Sequence, residues 1–391
     1  MKQFHFTGRI PASKSLMNRA LIIQSYEPRL KLEGDSSCDD VVHLRQSLRG
    51  LKKKKVFDCG EGGTTLRFLA FRLSREKGEF LLKGTQRLLS RPQKEIKSIL
   101  VRLGVDVAFE NQGIRIRSSG WKDPKKALVI SAKDSSQFLS ALFLNAWGLD
   151  FDLKIKVQGK ITSESYFVMT LKALKDLGFK YTQKGSNFVI PKGQRVALKK
   201  YLVESDLSSL FSVASFAAVS GEASFKEFPK KSLQPDLAFT DIFRQMGVRS
   251  SQKGQSLSVR APQRLKPVRV NLKNSPDLFP VLAVLCSFSE GKSILFGAPQ
   301  LALKESNRIL KTAELLKKSG IACTARKDGI VISGNGGISV PQEFSFDPDK
   351  DHRLAMAAAL LKFYGHRIKI KDPDVVRKSF PEFWRYVGVR P

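Results

Sequence analysis

Cations stand beside the starts of unusually apolar segments in this 391-residue chain. Lys14 and Arg19 flank one such start, Arg67 lies on a second, and His352 and Arg353 open another. Arg91 sits just before a proline that can open a helix, and Lys378 lies in VRKSFPEF. Lys304 and Arg308 are four residues apart in LALKESNRIL, a spacing that predicts one shared helical face. A charge beside an apolar segment must be solvated, paired or used on a ligand. Any one of these residues alone reads as a solvated charge or a structural ion pair. Together they predict a strongly positive pocket suited to phosphate and carboxylate groups. Asp277 and Glu305 are the carboxylates best placed to carry protons in it, because both lie at turns leading into predicted helices.

The elements that must position these groups recur six times. A turn of small polar residues runs into an apolar helix at SKSLMNRALII from Ser13, GGTTLRFLAFRL from Gly62 and SSQFLSALFLNA from Ser135. It does so again at SSLFSVASFAAV from Ser208, SPDLFPVLAVLCSF from Ser275 and KDHRLAMAAALL from Lys350. The first spacing is about 50 residues and the later ones about 70. Helices apolar all round belong inside a fold. Their N-termini present free N–H groups and the positive end of a macrodipole, where an anion can approach small side chains closely. For any single start plain N-capping is the better reading. Charged residues at several of the same turns favour ligand binding.

A second element follows in each repeat: an amphipathic helix that ends in Gly and passes into a strand. SILVRLGVDV, LKALKDLGFKYT, IFRQMGVRSS and ELLKKSGIACT are good copies, and SLRGLKKKKV and RYVGV are poorer ones. VDVAFENQGIRIRSS and IACTARKDGIVISG each read as a hairpin, two alternating runs about a polar turn with Gly. Six such units predict two domains of three.

The composition is that of a globular protein, and 391 residues are too many for one ordinary core. No apolar run reaches the ~18 residues a membrane helix needs. The N-terminal residues read as a strand rather than a signal or transit segment, so a cytoplasmic location is expected. Four cysteines without a CxxC pair, and four histidines, point to free thiols rather than to a zinc site or a disulfide framework. The net charge of +32 admits anionic substrates, nucleic acid or simply a basic surface. The lysines are spread along the chain, with one short cluster at Lys52–Lys55 and no basic tail.

Ten segments in order resemble the EPSP synthase family, from about residue 11 to about residue 384. They are PASKSLMNRAL, CGEGGTTLRF, LSRPQKEI, SSQFLSAL, ITSESYFVMT, VESDLSS, SPDLFPVLA, LALKESNR, DPDKDHRLAMA and VRKSFPEFW. The resemblance implies an α/β (α+β) fold of two similar domains. Each would hold three βαβαββ units with buried parallel helices, in the inside-out, barrel-like enolpyruvyl transferase arrangement. It places one domain at 13–203 and the other at 1–12 plus 204–391, with the active site in the cleft between them. It implies transfer of the carboxyvinyl group of phosphoenolpyruvate to the 5-hydroxyl of shikimate 3-phosphate, by addition and elimination, without metal or organic cofactor. Carried over by motif, Lys14, Ser15, Arg19, Ser135, Ser136, Ser163, Tyr166, Asp277 and Lys304 would hold shikimate 3-phosphate. Lys14, Gly63, Arg91, Gln137, Arg308, Arg353 and Lys378 would hold phosphoenolpyruvate. Asp277 would take the hydroxyl proton, and Glu305, with Lys14, would serve the methylene carbon. A monomer follows from the same resemblance. A cluster of cations in an open cleft repels itself, which predicts an open state without substrate that closes when the anions bind.

Some positions depart from the commonest family pattern. Glu61 and Gln300 stand where Asn is frequent, and Phe68 replaces a common Pro. A carboxylate at Glu61 would repel phosphoenolpyruvate unless turned away or paired. The related UDP-N-acetylglucosamine enolpyruvyl transferases carry a catalytic Cys in the region of Arg91, whereas this chain has no Cys between Cys59 and Cys286. A polyanion- or RNA-binding protein of similar repeat fold is the alternative from another class. The charge supports it, but electrostatic RNA binding needs no carboxylates amid the cations. Nucleic acid is therefore not an expected partner.

Overall fold

The computed structural model describes residues 2–337 and 340–391. The six small-polar starts lead into α1 (Lys14–Gln24), α2 (Gly63–Leu73), α3 (Gln137–Leu144), α4 (Leu207–Val219), α5 (Phe279–Ser287) and α6 (His352–Phe363). Before α5 the chain makes a short 3-10 turn, Pro276–Leu278. The helices are buried on all sides: every residue of α5, all but Lys362 of α6, and Leu207 to Ala218 of α4. Ser212 and Ser215 survive inside α4 because their hydroxyls bond within the helix. Ser212 Oγ donates to the Ser208 carbonyl (2.9 Å) and Ser215 Oγ to that of Phe211 (2.8 Å).

The chain divides into two compact units, Met1–Pro11 with Glu204–Pro391, and Ala12–Val203. Helices α4, α5 and α6 pack together in the first, and α1, α2 and α3 in the second. Each unit has its own apolar core.

Among the described residues each unit carries two open four-stranded sheets and one two-stranded sheet. The four-stranded sheets share one pattern, a parallel pair followed by two antiparallel neighbours. In one of them Val56–Asp58 runs parallel to Lys77–Lys83, which pairs antiparallel with Gly113–Ser119, and that strand with Asp106–Glu110. The parallel step needs a crossover, and α2 supplies it. Both hairpins predicted from sequence form, at Asp106–Ser119 and Ala322–Asn335. The two-stranded sheets are parallel, Lys31–Glu33 with Lys200–Leu202 and Glu343–Phe346 with Arg367–Ile370. They belong to the repeats whose amphipathic helices were poorer copies. There the helix ending at Arg49 is followed by the strand Val56–Asp58, which pairs in parallel with Lys77–Lys83 instead of entering a hairpin.

The N-terminal strand Phe4–Gly8 pairs in parallel with Gly221–Phe225 of its own unit. Gly221 has φ +118°, and a Cβ there would lie 2.1 Å from the Phe4 carbonyl oxygen, so only glycine permits this pairing. No helix among the described residues is long and apolar enough to cross a membrane. Three cysteines are buried and Cys323 is half-buried, all as free thiols. Burial pushes the Cys38 thiol up to about 11 and Cys286 up to about 12, so neither is a nucleophile at neutral pH.

Candidate active site

In the unit Ala12–Val203 the starts of α1, α2 and α3 carry a linked set of polar groups. Ser13 caps α1 by accepting from the Leu16 N–H, which leaves Lys14 at the first helical position. Lys14 Nζ pairs with Asp40 Oδ2 at 2.9 Å, and both side chains are largely shielded from solvent. The Asp40 carbonyl accepts from Thr65 Oγ1 (3.1 Å), which joins this pair to the start of α2. Sequence reasoning missed Asp40, because acidic residues in a first helical turn are ordinarily read as dipole partners.

Arg19 is buried, and three of its nitrogens bond to protein. Nε donates to Thr170 Oγ1 (2.7 Å), Nη1 to the Ser15 carbonyl (2.7 Å) and Nη2 to the Tyr166 carbonyl (3.1 Å). Burial lowers its pKa to about 10, which keeps it charged at neutral pH. Arg19 thus ties Ser15 on α1 to Tyr166 on the helix Glu164–Asp176. That helix opens at Ser163, a non-glycine residue in the left-handed region (φ 53°, ψ 50°). Such a conformation costs about 1–3 kcal/mol, and residues held this way cluster at functional sites.

Arg67 of α2 holds most of the remaining groups. Its Nη1 donates to Gln137 Oε1 at 2.6 Å and to Ser135 Oγ at 3.4 Å. Nε donates to Gln93 Oε1 at 3.1 Å and Nη2 to the Pro92 carbonyl at 3.0 Å. Gln137 Nε2 in turn donates to Thr64 Oγ1 (2.9 Å), and the Gln137 N–H donates to Ser135 Oγ (3.2 Å). Ser136, at the cap of α3, is buried beside them. Thr64 and Gln93 were not singled out from sequence, although both sit inside the quoted motifs. Arg91 lies between the short helix Gln86–Leu89 and the helix Lys94–Arg102, not at a helix start. Pro92 does not open the second helix, because Gln93 takes the cap position. The Arg91 guanidinium packs over Gly63, where an added Cβ would meet its Nη1 at 2.9 Å.

In the unit that includes Glu204–Pro391, Arg308 is the hub. It is 1% exposed and meets three carboxylates: Asp277 Oδ1 (2.7 Å), Glu305 Oε2 (3.0 Å) and Asp351 Oδ2 (2.7 Å). Burial works against its charge, but Asp351, Glu305 and Asp277 outweigh that and hold its pKa well above the ordinary value. Asp351, fully buried, also caps α6 by accepting from the Arg353 N–H (3.0 Å). Asp277 receives two further cations, Lys304 Nζ at 3.7 Å and Arg353 Nη2 at 3.7 Å. Burial favours its neutral form, yet Lys304, Arg353 and Arg308 together keep it ionised, well below the usual carboxylate range.

Lys304 and Arg308 do not share a helical face. Lys304 ends the 3-10 helix Pro299–Leu303, and a new helix begins at Arg308 because the Asn307 side chain caps it, accepting from the Leu310 N–H. The two cations nevertheless meet at Asp277, which a single helix was not needed to arrange. Arg353 Nη2 also donates to Ser208 Oγ at the start of α4 (2.6 Å). Lys378 is buried at the end of the 3-10 helix Pro373–Lys378, which packs on α6. Gln300 Nε2 donates to the Lys273 carbonyl (3.0 Å).

The resemblance noted from the motifs holds for nearly the whole chain. Residues 29–387 match the family model of EPSP synthase (3-phosphoshikimate 1-carboxyvinyltransferase). The chain belongs to the EPSP synthase family. Among relatives of this family, the 3-phosphoshikimate 1-carboxyvinyltransferase of Syntrophobacter fumaroxidans is 30% identical, covering 96% of this chain and 94% of its own. That of Pyrococcus abyssi is 32% identical, over 96% and 92%. EPSP synthase from Acinetobacter baumannii superposes with a TM-score of 0.77 at 21% identity, over 99% of this chain and 96% of that one. The enolpyruvyl transferase NikO from Streptomyces tendae gives 0.76 at 12% identity, over 99% and 95%. At such identities the two structures speak to the fold alone. They share the mixed α/β architecture built on buried helices.

Proposed function

We propose that this protein transfers the carboxyvinyl group of phosphoenolpyruvate to the 5-hydroxyl of shikimate 3-phosphate, releasing phosphate, as a cytoplasmic monomer. The observation that carries this reading is the Arg308 hub. Asp277 sits among three cations, while Glu305 shares Arg308 with it. A polyanion-binding surface would need the cations and not the carboxylates, so family membership and this cluster together favour the transferase.

In this reading the residues divide between the two substrates. Lys14, Ser15, Arg19, Ser135, Ser136, Ser163 and Tyr166, with Asp277 and Lys304, serve shikimate 3-phosphate. Gly63, Arg91, Gln137, Arg308, Arg353 and Lys378, with Lys14, serve phosphoenolpyruvate. Arg19 and Arg67 spend several of their donors on protein groups, which supports a role in holding Ser15, Tyr166, Ser135 and Gln137 in place.

Addition forms the bond from the 5-oxygen to C2 of phosphoenolpyruvate. The hydroxyl O–H bond breaks, its proton passing to Asp277, while C3 gains a proton from Glu305, with Lys14 assisting. Elimination returns a C3 proton and breaks the C2–O bond to phosphate. Fixed cations around the developing anions supply stabilisation that water would have to reorganise to give.

The test is phosphate release with each substrate omitted in turn. Release that needs both compounds supports the transferase, and a folded protein inert toward both overturns it. The close approach of Arg91 to Gly63 gives a graded companion. In Gly63→Ala the new methyl displaces the end of a flexible side chain, so the fold is spared. The KM for phosphoenolpyruvate is expected to rise about tenfold. The unfolding midpoint should stay near that of wild type. Steady-state kinetics with varied phosphoenolpyruvate check this.

A further inference from the structure

Asp236 is a buried carboxyl with no part in the scheme above. It lies in the 3-10 turn Pro235–Ala238 and is 5% exposed. Its Oδ1 is closed to solvent and has no hydrogen-bond partner among the described residues. The turn is fixed at both sides. Ser275 Oγ, just before the turn that carries Asp277, donates to the Pro235 carbonyl at 2.7 Å. Gln234 accepts from the Leu207 N–H (3.1 Å) and donates to the Ser205 carbonyl (2.8 Å), which locks the turn to the start of α4. The charged groups acting on Asp236 are Asp277, Arg353 at the start of α6, Asp206 at the cap of α4, and Lys304. Burial first, then the Asp277 charge, push its pKa up to about 7. Two neighbouring carboxylates resist ionising together. Asp277 has the three cations and keeps its charge, so the proton resides on Asp236.

We propose that Asp236 is a positioning residue for the transfer step, its protonation state setting how strong a base Asp277 is toward the 5-hydroxyl. This rests on the transferase reading. With Asp236 protonated, the cations around Asp277 make it a weak proton acceptor. Loss of the Asp236 proton adds a negative charge beside Asp277, offsets part of the cationic field and raises its proton affinity. The O–H bond still breaks at the substrate and forms on Asp277. Asp236 makes and breaks no bond to substrate.

Asp236→Asn copies the neutral form in the same shape. The test is the ratio of wild-type to variant kcat/KM for shikimate 3-phosphate across pH, which cancels titration of the substrates. A group titrating near 7 passes from about a tenth to about nine-tenths ionised between about pH 6 and 8, so the ratio is expected to climb about tenfold. A ratio constant over that interval overturns the proposal. A second readout needs no substrate. A carboxyl whose pKa is raised by folding costs stability progressively from its unfolded value, near 4, up to its folded value. The thermal midpoint of Asp236→Asn should therefore gain on wild type as pH rises from about 4 to 7, then keep a constant lead. A gap independent of pH also overturns the proposal. Wild-type protein that transfers nothing at any pH removes the transferase reading, and the proposal with it. That outcome is told apart by the wild-type rate itself.

Discussion

Asp277→Asn is expected to lower kcat by about 10²–10⁴-fold, the usual worth of a positioned proton acceptor. The amide fills the same space beside Arg308, Lys304 and Arg353 but takes no proton from the 5-hydroxyl. The change also has a signature in stability. Three cations depress the folded pKa of Asp277, so its charge stabilises the fold above the unfolded pKa and ceases to do so as pH falls through the folded one. The variant should therefore unfold earlier than wild type near pH 7 and converge with it in strong acid. Initial rates and denaturation midpoints across pH check both halves. A variant retaining more than about a tenth of the wild-type kcat would exclude Asp277 as the acceptor.

The largest stability effect is expected at Arg308. Arg308→Met keeps an apolar stem but leaves Asp351, Asp277 and Glu305 without their common cation. Removing one partner of a buried ion pair typically costs about 3–5 kcal/mol. Asp351 is fully buried, and the Arg308 side chain is nearly so, so solvent screening offers little relief. Chemical denaturation at neutral pH should show this loss, together with loss of activity. The gap to wild type should narrow in strong acid, as the pH falls through the depressed pKa of Asp277 and its charge no longer needs the cation. Arg308→Lys should recover little, because one ammonium cannot reproduce the guanidinium fork across three carboxylates.

The repeat was legible because helix periodicity and capping are local. Each of the six apolar starts could be read from about a dozen residues, and each leads into a buried helix. The two hairpins were legible for the same reason. Lys304 and Arg308 mark a limit of that method. Four-residue spacing means a shared face only within one helix, and the Asn307 cap starts a new one between them. Arg67 marks another limit. Its spacing identified a charge on an apolar helix, but its partners Gln93, Ser135 and Gln137 lie 26 to 70 residues away, beyond any local pattern. Asp40, Asp236 and Asp351 were passed over because an aspartate at a helix start is ordinarily a cap or a dipole partner. Asp351 is a cap, and only the fold reveals that it also grips Arg308. The weight of Asp236 depends on burial and on the neighbouring charge of Asp277, neither of which a linear sequence displays.

Proton NMR of the purified protein with phosphoenolpyruvate and shikimate 3-phosphate is the most direct measurement. New vinylic resonances of an enol ether, growing in step with free phosphate and absent when either substrate is left out, are the predicted result. Phosphate released without the enol ether, or both substrates left intact by folded protein, would contradict carboxyvinyl transfer.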